Sequence, residues 1–239
     1  MKIIKTTIII ILTTALLVIP LGCGKWVTGS GNITTEVKDL SGFTKIEAHN
    51  GFQLEVIQSS DFSVEIIADD DLHERIKVSK LGDTLTIELD GIWGCTSCTL
   101  EAKITMPDLY GLDLSGGSRA DISGFSLSHD FSVELSGGSR LDGDITFANG
   151  DFDLSGGSRI NLEGSGDDLV VDGSGGSHLN LEFFPVKNAD IKLSGGGRGD
   201  INVNGTLTVD LSGGSQVTYN GQPTLGDIDL SGGSTIRSK

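Results

Sequence analysis

Apolar and polar residues alternate with period two along most of this chain, and in its second half the alternation itself recurs. Between Asn32 and Pro107 it runs through Phe52-Gln53-Leu54-Glu55-Val56, Phe62-Ser63-Val64-Glu65-Ile66 and Leu85-Thr86-Ile87-Glu88-Leu89. Alternate residues of a strand share a face, so each run predicts a half-buried strand. Leu100 to Met106 predicts another, ended by Pro107. Asn50-Gly51 predicts a tight turn between two of them. Asp70 to Ile76 predicts one helical turn, with Asp70 or Asp71 as its cap.

In the second half an apolar-polar-apolar triplet runs seven times into Ser-Gly-Gly. The opening serines are Ser115, Ser136, Ser155, Ser174, Ser194, Ser212 and Ser231, 18 to 21 residues apart. The apolar pairs are Leu112/Leu114, Val133/Leu135, Phe152/Leu154, Ile191/Leu193, Val209/Leu211 and Ile228/Leu230, with Val171/Gly173 as the one break. A second strand of the same parity follows, with Ala120/Ile122, Ile160/Leu162, Leu179/Leu181, Ile201/Val203 and Val217/Tyr219 pointing inward. Gly-Gly turns the corner between the two, because glycine takes positive φ without steric cost. More variable segments after the second strand supply a third side or its loops.

So short and regular a period predicts a coil that buries its apolar face only by stacking on its neighbours. The expected fold is all-β: a single-stranded parallel β-helix with coils of about 19 residues, right-handed like other parallel connections. The N-terminal β region is expected to be continuous with it. Seven coils at about 4.8 Å make a rod of roughly 34 Å. Propeller blades need about 40 residues, twice this period. The organisation read from the chain is a signal peptide over 1–22, a lipidated tether over 23–31, an N-terminal β region over 32–108 and the repeat β-helix over 109–239.

The first residues change the picture by placing the protein. Lys2 and Lys5 precede an apolar run from Thr6 to Ile19, shorter than the ~20 residues of a membrane-spanning helix. It reads as an export signal. Ile19-Pro20-Leu21-Gly22-Cys23 resembles the bacterial lipoprotein signal, although Pro20 departs from that pattern. Lipidation at Cys23, and with it a membrane-anchored protein of the cell envelope, is the expectation. Cleavage there leaves 15 basic and 33 acidic residues, a balance that disfavours nucleic acid and bare anionic membrane.

Cys95 and Cys98 are the only other cysteines. A disulfide closing a small loop is expected outside the cytoplasm; free thiols, a redox pair and a metal site are the alternatives. Redox work would want a βαβ context and zinc four ligands, and neither pattern surrounds this pair.

Stacking turns sequence columns into surface ladders. One outward column reads Asp113, Glu134, Asp153, Asp172, Lys192, Asp210 and Asp229; another reads Arg119, Arg140, Arg159, His178, Arg198, Gln216 and Thr235. Beside the second runs Asp121, Asp142, Asn161, Asn180, Asp200, Thr218 and Arg237. Mutual neutralisation of neighbouring columns is one reading; a binding face, for surface polysaccharide or an envelope protein, is the other. The serines read as turn-backbone partners. Carboxylates such as Asp142, Asp144, Asp167 and Asp168 are not singled out as an acid–base pair. Gly-Gly is followed by Ser-Arg and not by Gly-x-Asp, so the calcium β-roll pattern fails. No catalytic residue, metal site or cofactor is assigned.

The order of motifs carries a family likeness. Gly42-Phe43-Thr44-Lys45-Ile46, Gly51-Phe52-Gln53-Leu54-Glu55-Val56, Ser63-Val64-Glu65-Ile66, Leu85-Thr86-Ile87, Ile104-Thr105-Met106-Pro107 and Leu112-Asp113-Leu114-Ser115-Gly116-Gly117 follow one another. This order resembles the bacterial head GIN domain family, described as auto-transporter adhesins, over roughly Gly31 to Lys239. The resemblance implies an exported, commonly lipid-anchored β-helix without catalytic residues to carry over. A structural or adhesin-like envelope protein is the first functional reading. A polysaccharide-processing enzyme is the runner-up, and would show as one coil that leaves the repeat to gather carboxylates and a base. A sensory or regulatory envelope module is the third.

Overall fold

The computed structural model describes residues 25–239. The signal segment and Cys23 lie outside them. The strands are β1 (Lys25–Thr28), β2 (Ile33–Val37), β3 (Lys45–Ala48), β4 (Gln53–Gln58), β5 (Ser63–Asp69), β6 (Ile76–Leu81), β7 (Thr84–Leu89), β8 (Ile92–Thr96), β9 (Leu100–Met106) and β10 (Gly111–Leu114). They continue as β11 (Arg119–Ser126), β12 (Phe131–Leu135), β13 (Arg140–Leu154), β14 (Arg159–Gly173), β15 (His178–Leu193), β16 (Arg198–Val203), β17 (Thr206–Leu211), β18 (Gln216–Asn220), β19 (Thr224–Leu230) and β20 (Thr235–Ser238).

They wind into a parallel β-solenoid. On its first face β7, β3, β10, β12, the C-terminal parts of β13, β14 and β15, then β17 and β19 pair in parallel, in that spatial order. On the second face the order is β9, β4, β11, the N-terminal parts of β13, β14 and β15, then β16, β18 and β20. A shorter third side joins Phe125 to Ile145, Ile145 to Gly164, Gly166 to Val186 and Val186 to Val203. The seven Ser-Gly-Gly rungs are therefore continued by two more, β3–β4 and β7–β9. Nine rungs at ~4.8 Å give a rod of about 43 Å.

Space and sequence part company at the N-terminal end. The rung β3–β4 comes first in the chain but lies between β7–β9 and β10–β11. The residues between close the open end of the core. β6 runs antiparallel along β7, β5 antiparallel along β9, and β2 antiparallel along β5. The Asn50-Gly51 turn has positive φ at both residues and is the corner between the first and second faces of its rung.

The inward pairs stack into the apolar core except at the last rung, where Leu230, expected inward, is 45% exposed and Ile228 only partly buried, because no further rung stacks over them among the described residues. Leu114, Val133, Phe152, Val171, Ile191 and Leu211 are fully buried, each worth about 1.5–3 kcal/mol. At the break, Leu193 of the next rung leans into the space beside Gly173: a Cβ there would meet Leu193 Cδ2 at 2.5 Å. The corners need glycine for a second reason besides φ. A Cβ on Gly175 (φ +71°) would lie 2.7 Å from the Gly156 carbonyl one rung away, and the neighbouring Gly176 N–H donates to that same oxygen at 2.7 Å.

The helical turn differs from expectation. It is a single 3-10 turn, His73–Arg75, with Leu72 at its N-cap and no side-chain cap. Asp70 and Asp71 turn the other way: Asp70 accepts from Ser30 Oγ (2.6 Å) and Asn32 Nδ2 (2.7 Å), and Asp71 from the Ser30 N–H (3.1 Å). The buried Asp69 carboxylate takes the Gly31 N–H at 2.6 Å and the Thr99 N–H at 2.8 Å. Three consecutive aspartates thus hold the incoming chain against β5 instead of starting a helix.

Candidate functional site

The two outward columns flank one row of corners. On the first face, register pairing brings Glu47, Asp113, Glu134, Asp153, Asp172, Lys192, Asp210 and Asp229 into one line. On the second, it aligns Arg119, Arg140, Arg159, His178 and Arg198. Asp113, Asp153, Asp210 and Asp229 thus share one face, and Arg119, Arg140, Arg159 and Arg198 the next.

The basic column is only partly neutralised. Arg140 pairs with Asp142, two residues on along its own strand, through Nε and, at 2.7 Å, Nη2. Among the described residues Arg119, Arg159 and Arg198 have no carboxylate within salt-bridge distance, and all three are exposed. The neighbouring column uses amides: Asn161 Nδ2 donates to Asp142 at 3.3 Å, and Asn180 Nδ2 to Asn161 at 2.7 Å. The two amides separate Asp142 from Asp200, whereas Glu55, Asp121 and Asp142 stand as like-charge neighbours one rung apart.

The acidic column lines a groove of about 340 Å³. Asp113, Glu134, Asp153 and Asp172 form one wall; Ser115, Ser136, Ser155 and Ser174 form the other. His49 closes one end, and Lys192 occupies the next rung after Asp172. Burial pushes the Asp113 carboxyl above its ordinary value, with His49 opposing and Glu47 adding. Burial also raises Asp153, helped by Asp151, Asp172 and Glu134.

The serines divide by position. The second serine of the motif makes the turn bond: Ser118, Ser139, Ser158, Ser177, Ser215 and Ser234 donate from Oγ to the carbonyl three residues back, at 2.5–2.9 Å. Of the opening serines, Ser115, Ser136, Ser155 and Ser174 line the groove, while Ser194 and Ser231 donate to the carbonyls of Gly173 and Leu211 one rung back. Ser115 Oγ also lies 2.6 Å from His49 Nδ1. Nothing in the sequence near Ser115 announces His49, because 66 residues separate them and only the register of β3 on β10 brings them together.

The other carboxylates are not gathered. Asp142 is held by Arg140, Asp144 accepts the Gly124 N–H, Asp168 accepts from Asn188, and Asp167 is exposed. Among the described residues no group of three or more His, Cys, Asp or Glu side chains is arranged to hold a metal ion. Cys95 and Cys98 are bonded to each other on the β8 excursion. β8 pairs in parallel with β1, the first described strand, and Trp26 lies against Gly94.

A family described as "Putative auto-transporter adhesin, head GIN domain" matches residues 42–223. No curated protein matches the chain in sequence. Among solved structures, a putative adhesin from Bacteroides fragilis aligns with a TM-score of 0.83 at 19% identity, covering 89% of this chain and 99% of its own. A putative adhesin from Parabacteroides merdae aligns at 0.69 and 17% identity, covering 90% and 99%. A putative lipid binding protein from Parabacteroides distasonis aligns at 0.75 and 16%, covering 90% and 100%. At these identities the likeness is one of fold.

Proposed function

The chain belongs to the head GIN domain family, and from that premise we propose that it is a non-enzymatic, adhesin-like protein of the cell envelope. In this reading it is exported, carried on a lipid at Cys23, and binds a repeating surface polymer, a polysaccharide, along its rungs. The observation that carries it is the stacked outward chemistry: Arg119, Arg140, Arg159, His178 and Arg198 on consecutive rungs of one face, with three of the guanidiniums unpaired among the described residues. A partner with its own repeat meets the same group every ~4.8 Å, and weak contacts then add along the length.

The test is a glycan array with the exported protein, with and without calcium. For glycans held by the basic column, Arg159→Glu alone weakens binding slightly. Reversal at Arg119, Arg140 and Arg159 together weakens it steeply, and salt weakens it throughout. The reading fails if Arg159→Glu alone abolishes binding while the same change at Arg119 and Arg140 is silent.

One observation favours the enzyme reading. The β3–β4 rung leaves the repeat by placing His49 on Ser115, with Asp113 beside it. A nucleophile needs an adjacent base, itself oriented by a third group. Among the described residues no side chain hydrogen-bonds the second ring nitrogen of His49. Release of reducing ends from array-positive glycans, lost in Ser115→Ala, would establish cleavage.

A further inference from the structure

A second hollow lies away from the acidic groove, at the corner between the third and first faces. It measures about 420 Å³ and is bordered by Tyr110, Phe131, Ser132, Asn149, Asp151 and Val170, among others. Its origin is a break in the repeat. Phe131, Leu169, Ala189 and Leu207 each start the first-face strand of their rung and are buried. Tyr110 holds the same position, directly before Gly111 as Phe131 is before Ser132. Yet Leu109 is buried in its stead and Tyr110 is 42% exposed. One rung has turned a large aromatic ring out of the core.

That ring is fixed, not loose. His129 stacks on it at 3.6 Å with an interplanar angle of 3°. His129 Nε2 lies 2.8 Å from Asp108 Oδ1, and Nδ1 lies 2.8 Å from the Asp130 carbonyl. Both partners are acceptors, an arrangement that favours the doubly protonated ring. The imidazole stacked on the phenol holds it in place, and the exposed part of Tyr110 borders the hollow. Asn149 is oriented as well, donating to Asp130 at 2.7 Å. The floor is small: a Cβ on Gly111 would meet Ser132 Oγ at 2.9 Å, and one on Gly150 the Phe147 ring at 2.8 Å.

We propose that this corner is a carbohydrate subsite that takes a pyranose chain without acidic substituents. The C–H face of a pyranose is weakly positive and packs on the negative face of an aromatic ring. Asn149, Ser132 and Asp151 supply directional polar groups for hydroxyls at the rim. Tyr110 and Val170 stand three rungs apart, about 14 Å, room for more than one sugar ring. Asp130 and Asp151 border the hollow against the single cation Lys45, so uronic acids and sulfated sugars are repelled while neutral and amino sugars are accepted. The proposal rests on the polysaccharide reading above for its ligand class but not on the basic column.

The exported protein is titrated with cellotetraose, a glucosamine tetramer and tetragalacturonate, by calorimetry and by amide NMR. The first or second binds and shifts the amides of Gly111, Ser132 and Gly150; tetragalacturonate leaves them still. Tyr110→Ala weakens that binding roughly tenfold, while Tyr110→Phe keeps it within about twofold. Ser132→Tyr, at an exposed position, plugs the hollow without entering the core and abolishes it. The triple Arg reversal leaves it unchanged, which separates this site from the basic column. The proposal is overturned if neither neutral nor amino tetramer moves those amides, or if Ser132→Tyr binds like wild type.

Discussion

Leu193 fills two rungs at once, and its removal should show it. It is 3% exposed, and its Cδ2 lies 2.5 Å from where a Cβ on Gly173 would sit. Leu→Ala at a buried site costs about 2–5 kcal/mol, more where the surroundings cannot collapse. Here the neighbouring position is already a glycine, so nothing from that side closes the void, and Leu193→Ala should fall near 4 kcal/mol. Gly173→Ala alone overpacks against Leu193 and should cost about 1–3 kcal/mol. In the double variant the new methyl enters the space Leu193 vacates. The two costs should then fall short of their sum by about 1 kcal/mol or more, as contacting residues do. Urea denaturation measures all three, with unchanged m-values as the condition for comparing midpoints. Asp153→Asn, on the outward face of the same solenoid side, is the control. Burial and then Asp151, Asp172 and Glu134 raise the Asp153 carboxyl, so its charge is disfavoured in the folded state. Removing that charge at neutral pH should change stability by no more than ~0.5 kcal/mol, on the stabilising side. Additive costs for Leu193 and Gly173 would refute the shared space, and a larger cost at Asp153 than at Leu193 would invert the assignment of faces.

Cys23 should carry the lipid: mass spectrometry of membrane-extracted protein should find a diacyl- or triacyl-cysteine terminus, and a soluble product cut elsewhere would refute it. Cys95 and Cys98 should resist alkylation in freshly isolated, unreduced protein, and their joint replacement by Ser should lower stability only modestly because so short a loop restricts the unfolded chain little; full labelling of both would end the claim. Burial pulls His129 down but its bonds to Asp108 and the Asp130 carbonyl raise it above its ordinary value. Its contribution to stability should therefore be complete below about pH 6.5 and fade as pH rises through the raised value. The stability gap between wild type and His129→Gln, followed by thermal melts from pH 5 to 9, should narrow upward; a gap that widens would reverse the sign. Hydrogen bonds from Ser30 and then Asn32 lower the Asp70 carboxyl, so the hold on Ser30 to Asn32 should persist above the ordinary carboxylate range and loosen only as pH falls through the depressed value. Amide exchange of Asn32 against pH reads this, because its N–H donates to Ser30 Oγ, which Asp70 holds.

The solenoid itself was legible in the sequence because its determinants are local and repeated. A pair such as Val133/Leu135 buries wherever a strand is stacked on a like strand, and Gly-Gly permits a corner in any rung, so a period of about 19 residues carries the fold without knowledge of its ends. The outward columns follow from the same parity, which is why Asp113 to Asp229 and Arg119 to Arg198 could be drawn up from the chain alone. What the sequence could not show is register between segments that do not repeat. Nothing local says that β3–β4 lies between β7–β9 and β10–β11; that order is set by the need to cover an open apolar end, which β2, β5 and β6 meet by running antiparallel. It is this packing that places His49 on Ser115 across 66 residues. The tertiary structure also decided the fate of Tyr110. Strand parity would bury it with Phe131, but the chain returns from the N-terminal insertion through Pro107 and Asp108 and sends Leu109 inward first. A shift of one residue moves a side chain to the other face, and here it leaves an aromatic ring outside, backed by His129.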